Sequence, residues 1–186
     1  MHSDNWAQKA KQMGYRSRAV FKLEEILQKI RIKDVLNILD LGSAPGGWSQ
    51  LTKKKYPNAE VFAIDVLDMD PIDGVNFFHE SIQNISNIEA INTLKGNFNL
   101  VISDIAPNIT GISAIDGENI FELNQLTIEV AKIFLDSGGT LIMKTFQNNM
   151  LKSLRKDMEL SFKIVQTYKP AASKKQSGEI YLYGVK

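Results

Sequence analysis

The sequence predicts an α/β fold, a mostly parallel sheet covered by helices on both faces. Three observations carry that prediction. Short apolar runs alternate with segments of helical periodicity from about residue 35 onward. Four charged residues, Asp40, Asp65, Asp104 and Lys144, fall at the ends of such runs, where strands border a ligand crevice. The last two runs are joined by a loop that needs no crossover helix, so they should pair as an antiparallel hairpin.

Two helices open the chain. The second, near Arg18–Ile30, sets Ala19, Leu23, Ile26, Leu27 and Ile30 on one side at helical spacing. Val35–Leu41 is a short apolar run and reads as a buried strand, with a helix following through Trp48–Lys55. Glu60–Asp65 and the weaker Val75–His79 read as strands, residues 84–95 as a helix, and Phe98–Ser103 as a strand closing on Asp104-Ile-Ala-Pro. A long amphipathic helix over Asn119–Leu135 leads through Gly138-Gly139 into a strand at Thr140–Phe146. A helix near Asn149–Leu160 and strands around Phe162–Tyr168 and Ile180–Val185 complete the pattern. Between those strands, Lys169–Gly178 reads as a mobile surface loop.

A length of 186 residues suits one domain, here 1–186, with 1–33 as a basic helical segment. The absence of cysteine excludes a disulfide scaffold and any thiolate metal site. His2 and His79 are isolated, so no metal site is expected. No apolar run approaches the roughly 18 residues of a membrane helix, and residues 1–6 lack a secretory pattern. Charge is unevenly spread. Residues 1–33 hold eight basic against three acidic side chains, a net of +5. Residues 34–143 hold five against fifteen, a net of −10, and residues 144–175 eight against two, a net of +6. Two basic arms around an acidic middle are either solvated helix faces or, if brought together, the footprint of a polyanion partner.

Asp40-Leu-Gly-Ser-Ala-Pro-Gly-Gly-Trp48 joins the first strand to the next helix. Its glycines at 42, 46 and 47 let backbone approach a ligand, although a Gly-rich turn alone is weak evidence. The G-x-G-x-x-G spacing of a dinucleotide site fails, because Ala44 stands where its second glycine should be. An acid followed by a Gly/Pro loop suits a cofactor with an amino-acid end and no phosphates. Asp65 follows 25 residues after Asp40, at the end of the second strand, where an acid accepts from ribose hydroxyls.

Five segments, taken together, resemble the FtsJ/RrmJ family of ribose 2′-O-methyltransferases. They are Arg16-Ser-Arg-Ala-Val-Phe-Lys22-Leu, Asp40 to Gln50, Ser103-Asp104-Ile-Ala-Pro-Asn108, Met143-Lys144-Thr-Phe-Gln147 and Ser177-Gly-Glu179-Ile-Tyr181. The resemblance runs from about residue 4 to residue 185. It implies a single Rossmann-like methyltransferase domain with a seven-stranded sheet, S-adenosylmethionine as cofactor, and a Lys-Asp-Lys-Glu tetrad on Lys22, Asp104, Lys144 and Glu179. The family's cofactor contacts fall on Gly46, Trp48, Asp65 and Asp104, with Gly42, Ser43, Pro45, Gly47, Val66 and Ile82 beside them. Ser81 departs from the pattern, standing where many relatives carry an acid that contacts adenine. Glu80 could serve instead only if the register shifts.

Methyl transfer to an alcohol is an in-line displacement, so the protein must align the hydroxyl and help remove its proton. The resemblance therefore makes Lys144 the general base, with Lys22 as the nearby cation that would depress its pKa. Asp104 would orient Lys144 and Glu179 would fix a lysine or the ribose. The two acids oppose that depression, and steering of the hydroxyl by Lys144 is the alternative. Arg16, Arg18, Lys152, Arg155, Lys169, Lys174 and Lys175 become candidate phosphate contacts on RNA, which position without reading sequence. Tyr15, Phe146 and Tyr168 are candidate stacking partners for RNA bases, though such aromatics are more often core.

The expected substrate is large-subunit rRNA, with a uridine as the acceptor. The tRNA-directed and nuclear relatives tend to read Asp-Gly-Ala-Pro-Asp where this chain has Ser103-Asp-Ile-Ala-Pro-Asn108. A tRNA or mRNA-cap enzyme, or an inactive RNA-binding assembly factor, are the rival readings. The last should have lost tetrad residues. A monomer is expected. A bacterial source implies the cytoplasm, a eukaryotic one a mitochondrion or other organelle.

Overall fold

A computed structural model describes residues 5–107, 110–111, 113–174 and 176–186, with the side chains of 113 and 114 left aside. Lys175, His2 and Asn108 lie outside the described residues. Seven strands form one sheet in the order β3-β2-β1-β4-β5-β7-β6. They are β1 Asn37–Leu41, β2 Glu60–Asp65, β3 Val75–His79, β4 Phe98–Ser103, β5 Leu135–Phe146, β6 Ile164–Tyr168 and β7 Glu179–Val185. Strands β1 to β5 pair in parallel, whereas β7 lies between β5 and β6 and is antiparallel to both. The α/β class and the terminal hairpin thus match the sequence reading.

Helices cover both faces. One core gathers Leu39, Leu41, Val101, Leu141, Met143 and Leu182 with Phe134 of α5 (Ser113–Phe134) and Leu154 and Met158 of α6 (Leu151–Glu159). The other gathers Ile38, Leu100, Ile102, Ile142 and Tyr181 beneath α2 (Val20–Ile30) and α3 (Gly47–Lys55), with α1 (Asn5–Gln12) adding Ala10. Alternate residues of each central strand supply the two cores, because successive side chains point to opposite faces. Both faces are apolar, so the strands read as short continuous hydrophobic runs.

The elements depart from the sequence reading in four places. The helix expected over residues 84–95 is a 3-10 turn, Ile82–Asn87, followed by the single-turn α4, Glu89–Asn92. The segment is rich in Asn84, Ser86, Asn87 and Asn92, residue types of low helix propensity. Helix α5 begins at Ser113 rather than Asn119, and Asp116 in its first turn accepts from Thr110 and Gly111. Strand β5 includes Gly138-Gly139, whose backbone bonds to Lys186, the residue after β7. The loop after β6 is not wholly on the surface. Ala172 and Ser173 are buried, and Glu25 of α2 holds the loop by accepting from Ala171 N at 2.8 Å.

Candidate active site

The loop after β1 is built for close approach. Gly42 has φ +72°, and a Cβ there would collide with Ile105 Cγ1. Gly46 has φ +103°, and its Cβ would meet Ile72 Cδ1 at 2.6 Å and Met69 Sδ at 2.9 Å. Only glycine meets both demands, a left-handed backbone and no side-chain volume. Behind the loop, Asp65 accepts from Ala44 N and from Leu67 N, each at 2.8 Å. Its carboxylate therefore fixes the loop from the end of β2.

The guanidinium of Arg16 clamps the same loop from the other side. It donates to the carbonyls of Asp70 at 2.6 Å, Pro71 at 2.8 Å and Pro45 at 3.3 Å. The side chain expected to meet RNA phosphate thus has its donors directed at three carbonyls of two loops. Gln50 Oε1 accepts from Arg16 N at 2.9 Å and completes the attachment.

A small cavity opens between this loop and the start of α2. Gly42, Ser43, Pro45, Gly47, Trp48 and Asp104 border it, with Asp40 at its floor. Asp40 is buried; its Oδ2 accepts from Ser49 Oγ at 2.6 Å, while Oδ1 has no partner. Burial pushes this carboxyl up to about 7, against the opposing Ser49 bond, with Asp104 and Asp65 adding to the rise. Ser43 Oγ is likewise buried and unpartnered. The cavity measures about 20 Å³, so its two orphaned polar atoms can be met by a water or by the polar end of a ligand. Trp48 closes the wall, its Nε1 donating to Ala19 O at 2.9 Å and its ring 5.8 Å from that of Tyr181.

Gly46, Asp65, Val66, Ser81 and Ile82 do not border this cavity, and the Asp65 oxygens expected to meet ribose hydroxyls are directed at Ala44 N and Leu67 N. Val66 O bonds His79 Nε2 at 2.8 Å, and the Ser81 hydroxyl is turned to Gln83. Glu80, the alternative to Ser81, accepts from Asn84 Nδ2 at 2.9 Å and from Ser81 N at 2.7 Å.

The four tetrad residues converge beside the cavity from α2, β4, β5 and β7. Lys22 Nζ reaches both Glu179 oxygens, at 2.7 and 2.9 Å, in a pair only 9% and 14% exposed. Lys144 Nζ lies 3.2 Å from Asp104 Oδ1 and donates to Asp104 O at 2.5 Å. Each lysine therefore holds its own acid. Tyr181 ties the two pairs together, its fully buried hydroxyl donating to Asp104 Oδ1 at 3.0 Å and standing 3.4 Å from Glu179 Oε1. Burial, then the two acids, push that phenol far above its ordinary range, so it remains a donor. Burial also raises Glu179, but Lys22, Ser173 and Lys144 outweigh it and hold the carboxyl below its usual value. Ser173 Oγ donates to Glu179 Oε1 at 2.9 Å, and Asn124 Nδ2 of α5 donates to Lys144 O at 2.9 Å.

Sequence reasoning missed Tyr181, Ser173 and Asn124. The first lies in one of the five family-like segments, two residues after Glu179, which is the same-face spacing of a strand. The other two carry no sequence signal.

The remaining basic candidates are more scattered. Arg18 is half-buried just ahead of α2. Lys169 Nζ bonds Ser177 O at 2.9 Å, and Lys174 is exposed. Lys152, Arg155 and Lys156 line a groove with Gln147, Asn148 and Asn149, and Arg155 also donates to Thr167 Oγ1 at 3.1 Å. Among the described residues no group of three His, Asp or Glu is arranged to hold a metal.

A seven-stranded sheet with one inserted antiparallel strand, and a Gly/Pro loop at the carboxyl end of its first strand, define a Rossmann-like methyltransferase. The chain belongs to the FtsJ-like methyltransferase family, whose model matches residues 15–186. It is 37% identical to ribosomal RNA large subunit methyltransferase E of Stenotrophomonas maltophilia, over 98% of this chain and 89% of that protein. It is 38% identical to the Wigglesworthia glossinidia brevipalpis protein of the same name, over 99% and 92%. The crystal structure of a Plasmodium falciparum protein assigned as a ribosomal RNA methyltransferase superposes with TM-score 0.79 at 30% identity, covering 92% of this chain and 97% of that one.

Proposed function

We propose that the protein transfers a methyl group from S-adenosylmethionine to a ribose 2′-hydroxyl of large-subunit ribosomal RNA. The observation that carries this reading is the meeting of Lys22, Asp104, Lys144 and Glu179, far apart in sequence, at the edge of the Asp40 cavity. The names of the relatives support the RNA class.

The cavity suits the cofactor's chemistry. The free Asp40 Oδ1 and Ser43 Oγ match an amino-acid end that carries an ammonium and a carboxylate. Gly42 and Gly47 border the cavity beside them, and Asp104 supplies negative charge near a sulfonium. S-adenosylmethionine supplies a methyl that is already activated. The protein's part is then orientation and proton removal. Lys144 Nζ, fixed by two contacts to Asp104, is the group that receives the 2′-hydroxyl proton, in its neutral amine form after its own proton has passed to solvent. The Lys22–Glu179 pair holds the ribose, and Tyr181 keeps both pairs in register.

The test uses tritiated S-adenosylmethionine and undermodified large ribosomal subunits, followed by mapping of 2′-O-methylation. Lys144→Ala should bind the cofactor as the wild type does and lose about 10²- to 10⁴-fold in transfer, the usual worth of a positioned base. Equal labelling by the two proteins refutes the assignment of Lys144.

A further inference from the structure

Three aromatic side chains are candidate partners for RNA bases, and the structure separates them. Tyr15 packs on the α2/α3 core, edge-on to Phe21 at 6.4 Å, with Lys54 Nζ 5.6 Å from its ring. Tyr168 packs on the same core, its hydroxyl donating to Glu25 at 2.5 Å and Lys29 Nζ 4.7 Å from its ring. Both rings are engaged within the fold. Phe146 is not. It is half-buried, packs on neither core, and among the described residues has no aromatic or cationic neighbour over its ring.

A single half-covered phenylalanine is ordinary on a protein surface. Its position makes this one informative. Phe146 is the last residue of β5, two beyond Lys144, so the two side chains share a face of the strand. Across the ladder it stands opposite Glu179, as Lys144 stands opposite Tyr181. Directly opposed residues lie about 5 Å apart and i, i+2 neighbours about 7 Å apart. The ring is thus one side-chain spacing from two members of the tetrad. It also lines a groove of about 950 Å³ that runs to Gly111 and to Asp116–Ile120 of α5. Beyond the ring, Gln147, Asn148 and Asn149 lead to an edge of Lys152, Arg155 and Lys156, where Glu159 pairs with Arg155 at 3.7 Å and leaves the two lysines in excess.

We infer that Phe146 is the platform on which the base of the acceptor nucleotide stacks while its ribose lies against the tetrad. The inference rests on the proposed 2′-O-methylation of RNA and specifies where the base goes. A nucleotide places its base about one side-chain spacing from its own 2′-hydroxyl, the separation of Phe146 from Lys144 along the strand. Flanking phosphates then run along the Lys152 edge. Stacking on one ring tolerates any base but requires that it be unpaired or flipped out of a helix.

The experiment compares Phe146→Ala, Phe146→Leu and Phe146→Trp in methyl transfer to undermodified large ribosomal subunits. Cofactor affinity is measured by equilibrium dialysis and folding by thermal denaturation. Phe146→Ala should lose about 5- to 150-fold in kcat/KM for the subunits, the range set by stacking one base on an aromatic ring. Phe146→Trp should restore the wild-type value to within a few-fold, whereas Phe146→Leu, with similar apolar bulk and no π-face, should stay near alanine. Cofactor affinity and melting temperature should not change in any of the three. Leucine as good as tryptophan, or alanine as good as wild type, overturns the platform while leaving the methyltransferase reading intact. A wild type that labels no RNA in these subunits refutes that wider reading and removes the platform with it.

Discussion

Replacing Asp40 with asparagine tests whether the floor of the cavity is built as described. The carboxyl is buried, one oxygen on Ser49 and the other unpartnered, and burial pushes its pKa from the ordinary 3.8 to about 7. In the unfolded chain the same group ionises near 4. Between those two values the native state keeps a proton that the unfolded chain has released. Stability from this group is therefore complete below about pH 4, declines as pH rises, and is gone above about pH 7. A gap of about three pH units at roughly 1.4 kcal/mol each is worth about 4 kcal/mol. Solvent screening takes little from it, because Asp40 is only 1% exposed. At about 2–4 °C per kcal/mol for a chain of this size, that corresponds to a shift of about 10 °C in Tm. The amide introduced by Asp40→Asn would keep an acceptor for Ser49 and cannot ionise. Thermal denaturation without cofactor should show the variant gaining about 10 °C on the wild type between about pH 4 and pH 8. Two melting curves that stay parallel with pH would refute the buried, protonated carboxyl.

Two further substitutions address the groups that hold the site. Arg16→Ala should weaken S-adenosylmethionine binding about tenfold, an effect expected from losing charge-assisted bonds to three carbonyls. Arg16→Lys should not restore it, because an ammonium cannot fork across them. An intact cofactor affinity, with the salt dependence of RNA binding lowered by about one, would instead make Arg16 a phosphate contact. Tyr181→Phe removes the hydroxyl between Asp104 and Glu179 and should slow methyl transfer about tenfold or more, with cofactor affinity and folding retained. Transfer at the wild-type rate would show that the two ion pairs hold position without it.

Local periodicity and the ends of strands made much of this molecule legible in advance. Strands β2, β3 and β4 fall on the expected residues; β2 and β4 are short buried apolar runs, and β3 is a partly covered edge strand of strand-forming residues. Helix ends were less visible. Gly117 looks like loop and residues 84–95 look helical, yet α5 extends through the first, while the second is a 3-10 turn and a single α-helical turn. The segment 169–178 looks mobile from composition. Its attachment depends on Glu25, 146 residues from Ala171, and no local signal can reveal such a bond.

The sequence by itself determined the fold class and the Gly/Pro loop, since these rest on residue type, spacing and order along the chain, and its resemblance to the family pointed to the four residues of the proposed tetrad. Only the tertiary structure decided which lysine faces which acid, that Tyr181 joins the two pairs, and that Arg16 grips the Gly/Pro loop. The same holds for Phe146, whose ring, unlike those of Tyr15 and Tyr168, packs on neither core. The physical reason is range. Propensity and periodicity act over a few residues, whereas hydrogen bonds, ion pairs and burial depend on distances between side chains that folding brings together from opposite ends of the chain.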